Sequence, residues 1–438
     1  MQSCQGVLVC SAWSLGSIFE RRRATCLVER VTRIQDLAGD LKMQRPRLRF
    51  GSFIAPHTPI DENPMVSGEY DLRLVEYIES LGFHEAWFGE HHSGGWETSA
   101  SPEMMIAAAS QRTSTIKLGT GVSSLPYHHP YVLADRIRQA DYLSRGRAMF
   151  GVGPGSLPSD AYMMGISTDE VRDRMEQAIE PLVRLLRGET VTQSTDWFTL
   201  QKARLQLPSY CEDGVEMVVA SQVSPTGARA AGKFGLGLLS IGATSAGAFN
   251  SLASNWGIAE SLAKDHGQQV NRSQWRLVAP VHVAETREKA RDNVRFSLYK
   301  WIDYMSKVAA LPLAPPPGVD AIDHMVDTGF AVIGTPDDYV EQIERLWDQS
   351  GGFGCFLHLE TNWADRAETM RSYELIARYA IPKINQLNIA RQESEQWLRE
   401  NNEEFRGQLK AAVNAKIAQH AAEKGGEFIS PDLASGIS

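Results

Sequence analysis

Glu85-Ala-Trp-Phe-Gly-Glu-His-His92 is an apolar run of strand-forming residues that closes on a carboxylate and two imidazoles. Side chains able to move protons are therefore held where a predicted strand runs out, at the rim of a sheet. Two further stretches repeat the arrangement: Lys117-Leu-Gly-Thr-Gly-Val-Ser-Ser-Leu-Pro126 and Arg147-Ala-Met-Phe-Gly-Val-Gly-Pro-Gly155 also read as strands whose last residues are Gly, Ser or Pro. Several strand ends carrying small or polar residues are what a parallel barrel offers at its active face.

Outward from these stretches, β-rich apolar runs alternate with segments of helical period from Leu48 onward. Strands are expected at Leu48–Ala55, Glu85–Glu90, Ile116–Ser123, Ala148–Gly153, Glu216–Ser221, Leu236–Ile241, Arg276–Ala284 and Gly354–Leu359. Helices are expected between them, among them Tyr70–Leu81, Pro102–Arg112, Val132–Leu143, Val171–Leu186, Ser224–Lys233, Ala246–His266, Arg287–Ser306 and Pro336–Gln349. Such alternation argues for a parallel sheet, and eight strands close a barrel. The fold class read from the pattern is α/β, a single (β/α)8 TIM barrel over residues 46–382 with insertions and a C-terminal helical tail at 383–438.

Two insertions interrupt the rhythm. Trp197-Phe-Thr-Leu200 and Arg204-Leu-Gln-Leu-Pro208 suggest a small hairpin, and Leu311 to Gly318 holds Pro312, Pro315, Pro316 and Pro317, which no helix tolerates. The second insertion, after the seventh strand, would lie near the barrel mouth as a lid or a linker. In the tail, Phe405, Leu409, Val413 and Ile417 recur every four residues, an apolar stripe for the protein's own barrel or for another subunit. A homodimer is expected. Residues 1–45 carry Arg21-Arg22-Arg23 and no strand followed by a helix, so they read as a disordered extension or an over-long start with Met43 as the initiator.

Composition narrows the function. Of 438 residues 43% are hydrophobic and 22% charged, ordinary values for a globular enzyme. A net charge of −9, with 44 basic against 53 acidic residues and no dense basic stripe, argues against a nucleic-acid partner. No apolar run approaches the roughly 18 residues that span a bilayer. Only Cys211 and Cys355 lie within the barrel, without metal spacing, which suits a reducing cytoplasm.

Adjacent histidines on a strand point to opposite faces, so neither His91-His92 nor His128-His129 makes a chelating pair there, and no metal site is expected. A carboxylate beside an imidazole can orient or charge it, which makes Glu90 and His91 an acid/base candidate. Gly151-Val-Gly-Pro-Gly155 lacks the dinucleotide fingerprint and reads either as a tight turn or as a close approach of backbone to a flat or phosphorylated ligand. Ser221-Gln-Val-Ser-Pro-Thr-Gly227 leaves the fifth strand and opens a helix, where hydroxyls and free N–H groups suit a phosphate but also serve as caps.

Gly82-Phe-His-Glu-Ala-Trp-Phe-Gly-Glu-His-His92, Gly119-Thr-Gly-Val-Ser-Ser-Leu-Pro-Tyr-His-His-Pro130, Asp141-Tyr-Leu-Ser-Arg-Gly-Arg147 and the segment Gly151 to Gly165 together resemble the bacterial-luciferase-like flavin monooxygenases from about Leu48 to about Pro382. Trp197-Phe-Thr-Leu and Val218-Val-Ala-Ser-Gln-Val-Ser-Pro-Thr-Gly227 are most similar to the limonene-monooxygenase branch. The resemblance implies a barrel that takes reduced FMN from a separate NAD(P)H-dependent flavin reductase. It implies addition of O2 to give a C4a-(hydro)peroxyflavin and oxygenation of a small apolar substrate, a monoterpene such as limonene being the first guess. It carries the catalytic histidine onto His91 with Glu90 before it, and a non-prolyl cis peptide beneath the flavin onto Gly121-Val122. Asp160 and Gly153 fall at flavin-site positions, and Ser221, Gln222 and Thr226 in the phosphate turn. Gly153 and Pro154 stand where luciferases carry a reactive cysteine and a phosphate-binding arginine, which argues against light emission. Phe53, Trp96, Tyr127 and Met164 are the apolar candidates for a substrate wall. The rival readings are a deazaflavin (F420)-dependent dehydrogenase or reductase on the same barrel and a non-catalytic flavin-binding barrel.

Overall fold

The computed structural model describes residues 45–424 apart from Pro56, Ala310 and Pro312. The expected extension at 1–45 lies outside the described residues but for its last one, as do Pro312 of the proline-rich insertion and the end of the tail. Among the described residues, the chain from Leu48 onward is one compact unit.

Eight parallel strands run Arg49–Ile54, Glu85–Phe88, Lys117–Ser124, Ala148–Gly153, Glu216–Ala220, Gly237–Ser240, Trp275–Val283 and Cys355–Glu360. Each pairs with the next, and the eighth returns to the first with Arg49 opposite Cys355, so the sheet closes as expected. Period two divides every strand. Phe50, Ile54, Ala86, Phe88, Phe150 and Val152 face the surrounding helices, while Phe53, Trp87, Met149, Val218, Leu239, Val278 and Leu357 fill the interior. Trp87 has room only because its neighbours are small: a Cβ on Gly119 would lie 2.4 Å from its ring.

The floor of the barrel, at the N-terminal ends of the strands, is ionic. Arg276 is fully buried and grips Glu85 with two hydrogen bonds of 3.0 Å, while its remaining terminal nitrogen binds Glu216. Arg49 and the Trp87 indole add donors to Glu85 at 3.1 and 3.0 Å. Burial opposes the Glu85 charge, yet Arg276 outweighs it and holds the carboxyl down at about 2.

Three local expectations are corrected. The hairpin pairs Val191–Ser194 with Thr199–Ala203, so its first arm precedes Trp197 and Arg204–Pro208 is not a strand. Helix Arg287–Ser306 is two helices, Arg287–Val294 and Leu298–Lys307. The break comes where the Ser297 N–H donates to the Trp363 carbonyl at 3.0 Å, and it lets Trp301 pack on Trp363. Third, the pattern passed over a short parallel strand, Val332–Gly334, that lengthens the wall beside the seventh strand. In the tail, Ile389–Glu400 and Asn402–Lys424 are helical, with Trp397 against Phe405 and Leu409 exposed. No described helix is long and apolar enough to cross a membrane.

Candidate active site

Loops leaving the C-terminal strand ends build the site. After the second strand the chain turns at Gly94 and Gly95, both at positive φ where glycine is unhindered, and comes back on itself. The returning segment bonds the Thr58 N–H to the Trp96 carbonyl at 2.9 Å, and the His91 N–H to the Ser99 carbonyl at 2.9 Å. Glu97 thereby arrives beside His91.

His91 is clamped between two carboxylates. Its Nε2 lies 2.9 Å from Glu97 Oε2 and its Nδ1 3.3 Å from Asp160 Oδ2. Burial alone would discharge the ring, but Glu97 and Asp160 outweigh it and raise His91 to about 10, so it is an imidazolium at neutral pH. Asp160 comes from the short helix Pro158–Met163 and also accepts from the His92 N–H at 3.2 Å and from the Ser93 hydroxyl.

Glu90 does not serve His91. Its carboxylate accepts from His92 Nε2 at 3.0 Å, His128 Nε2 at 2.8 Å and the Ser124 N–H at 2.8 Å. Arg136 donates to His128 Nδ1 at 3.1 Å, which leaves Nε2–H as the donor to Glu90. Burial works to raise the Glu90 carboxyl, but these donors prevail and hold it below its ordinary value. Glu90 is an anchored anion that ties the second-strand loop to the third. The expected pairing of Glu90 with His91 is thus replaced by Glu97, which the sequence reading missed. A signal existed: a Gly-Gly turn two residues after the His-His pair, followed closely by one carboxylate.

The Gly121-Val122 peptide is cis, and the pairing with the fourth strand shifts register there. A Cβ on Gly121 would meet the Phe53 ring at 2.6 Å, and one on Gly153 would meet Val122 at 2.7 Å. Both glycines are buried, and their missing side chains make room for Phe53 and Val122 at the top of the interior. Replacing Gly121 by valine should weaken FMN binding by about tenfold or more, ~1.4 kcal/mol, and, because the added carbons meet the Phe53 ring, should cost about 1 to 3 kcal/mol of stability as well. Flavin titration beside thermal melts checks this, and an unaltered affinity would remove Gly121 from the flavin bed.

At the fifth strand, Ser221 is buried with its hydroxyl unpartnered, in the turn that leads to helix Thr226–Phe234, whose first N–H donates weakly to the Ser224 hydroxyl at 3.4 Å. An orphaned hydroxyl in the turn before a helix N-terminus fits an anion such as a phosphate. Gln222 is exposed and its backbone carbonyl accepts from Asn255 Nδ2 at 2.8 Å; Thr226 is half-buried, 3.0 Å from Ser224.

Of the expected substrate wall, Phe53 lies in the interior under Gly121 and Trp96 is buried, stacked on Tyr304 at 5.0 Å. Tyr127 is half-buried against His92. Met164 is 39% exposed just past its helix and is not packed into a wall. Leu157, Trp301, Ile302, Met305 and Trp363 join Trp96 in a separate apolar cluster from the loops and the post-seventh-strand helices.

The profile of the family described as luciferase-like monooxygenase matches residues 48–353. The chain belongs to that family. Among relatives of this luciferase-like monooxygenase, limonene 1,2-monooxygenase of Rhodococcus erythropolis is 50% identical over 340 residues, 77% of this chain and 87% of that protein. The 4-hydroxyprotoasukamycin monooxygenase of Streptomyces nodosus subsp. asukaensis is 40% identical, over 77% of this chain and 93% of that one. In fold it is similar to the oxygenating constituent of 3,6-diketocamphane monooxygenase of Pseudomonas putida, solved in complex with FMN: TM-score 0.64, 24% identity, 77% of this chain and 99% of the other.

Proposed function

We propose that this luciferase-like monooxygenase oxygenates a monoterpene, with limonene the first compound to test. The observation that carries the substrate class is the 50% identity to limonene 1,2-monooxygenase over most of both chains. Its cofactor is FMN, and the residues present fit it. Gly121 and Gly153 would underlie the ring, while the Ser221 hydroxyl and the N–H groups opening helix Thr226–Phe234 would hold the phosphate.

Reduced FMN, when bound, supplies the electrons that activate O2. The chain's own residues do the rest. Trp96, Tyr304 and the cluster beneath them exclude water and offer apolar surface. His91 holds a proton on each ring nitrogen where a reacting oxygen would need one, with Asp160 and Glu97 fixing the ring plane. A separate NAD(P)H-dependent flavin reductase would supply reduced FMN, since the barrel carries no dinucleotide fingerprint. We place the enzyme in the cytoplasm as a homodimer.

The test is turnover with a flavin reductase, NADH and FMN against terpenes, cyclic ketones and aldehydes. Limonene should be consumed with one atom of labelled O2 incorporated, and NADH without reductase should give no product. Product from cyclic ketones alone would overturn the terpene assignment; product from NADH with no reductase would overturn the two-component reading.

A further inference from the structure

We propose that Glu97 is the positioning residue for His91, holding Nε2 permanently and leaving Nδ1, on the looser contact to Asp160, as the nitrogen that turns to the reaction. The inference rests on His91 being the proton-handling group of the proposed oxygenation. It concerns a residue that the strand-end motif does not include.

The two contacts of the ring are unequal. Nε2 to Glu97 is 2.9 Å and Nδ1 to Asp160 is 3.3 Å. Asp160 is the partner with more donors: its other oxygen accepts from the His92 N–H and the Ser93 hydroxyl, so the carboxylate keeps two donors if the ring leaves. Glu97 cannot release without penalty. It is buried, and its second oxygen takes only the Tyr304 hydroxyl at 3.2 Å.

His57 lies 3.7 Å from Glu97 but does not neutralise it. The His57 Nδ1 sits 3.0 Å from the Glu360 carbonyl, which requires the proton on Nδ1, and burial pushes its pKa down, so the ring is neutral with Nε2 bare toward Glu97. Both imidazoles favour the Glu97 charge, but only His91 is hydrogen-bonded to it, and separating the two would leave the buried carboxylate with the Tyr304 hydroxyl alone. Asp160, Glu97, His57, His92, Tyr304 and Tyr127 are the titratable groups around the ring, and Glu90 is occupied by His92 and His128. Three chain segments thus converge on one carboxylate: the first-strand loop through His57, the returning loop through Trp96 and Glu97, and helix Leu298–Lys307 through Tyr304.

The experiment follows His91 by nitrogen NMR of its imidazole in the full chain without flavin, in the unsubstituted protein and in Glu97→Gln, Glu97→Asp and Asp160→Asn. The unsubstituted ring should stay protonated from pH 6 to 9. Glu97→Gln should lower its titration midpoint by about 1 to 3 pH units, the usual effect of an opposite charge at this range. Glu97→Asp should restore most of that, and Asp160→Asn should move it less than Glu97→Gln does. Product formation in Glu97→Gln should acquire a high-pH limb displaced by the same amount. A midpoint that Glu97→Gln leaves in place, or that Asp160→Asn moves further, overturns the assignment. If Glu97→Gln fails to fold, the ordering of Glu97→Asp against Asp160→Asn decides, the aspartate variant being expected to keep the more unsubstituted-like midpoint with its Nε2 still bonded. Because the titration is read without flavin or substrate, it stands apart from turnover: loss of the terpene assignment leaves it untouched.

Discussion

Substituting His91 with alanine is expected to lower product yield by about 10²-fold or more, the usual worth of a positioned proton donor or acceptor. Reduced FMN still meets O2 in such a variant, but the oxygen should end as hydrogen peroxide rather than in the substrate. FMN affinity should change little, since the groups argued to hold the phosphate, Ser221 and the start of helix Thr226–Phe234, lie on other loops. The pH dependence has a definite sign. His91 is raised to about 10, above its ordinary 6.5, so the protonated form and the stability it lends are fully present below 6.5 and are lost as pH rises through about 10. Coupling of oxygen to product should therefore hold through pH 7 to 9 and fall toward 10. Peroxide and product measured together decide it: unchanged coupling in the alanine variant would reduce His91 to scaffold.

Removing Arg276 should produce the largest loss of stability. Its guanidinium, fully buried, offsets Glu85 and Glu216 at the barrel floor. Arg276→Met keeps much of the volume but leaves the buried Glu85 carboxylate to Arg49 and the Trp87 indole, a loss of about 3 kcal/mol. Pairing it with Glu85→Gln should recover part of that, because the buried charge is gone. Glu85 sits at about 2, below its ordinary value, so its contribution is present above about 4.5 and vanishes as pH falls toward 2. The penalty of Arg276→Met should accordingly shrink in acid. Denaturant midpoints at pH 7 and pH 4 check both statements, and equal midpoints for the single variant and the parent would show the floor to be held by packing alone.

The floor illustrates what a strand pattern hides. Glu85 and Arg276 each lie at the start of a strand, in first and second place, and nothing in their neighbourhoods indicates that residues 191 apart form a bidentate pair. The helix broken at Arg295–Ser297 was illegible for the same reason, since the partner that diverts it, Trp363, arrives from beyond the eighth strand. The strand Val332–Gly334 is three residues long, too short for a period to register.

Alternation of apolar runs with helical segments was enough, from the sequence alone, to set eight strands in order and close the barrel, because period two and period 3.6 are local properties that burial on one face enforces. The same reading placed His91 and Ser221 at strand ends, while Gly121 came from the family resemblance. Only the tertiary structure decided which carboxylate serves which histidine. Glu90 is adjacent to His91 in the chain, yet successive side chains diverge at a strand end, so it turns to His92 and His128. Glu97, six residues on, meets His91 because the Gly94-Gly95 turn folds the loop back and His57, Trp96 and Tyr304 hold it there. Charge pairing depends on distance in space, and across a loop that distance is set by packing rather than by spacing in the sequence.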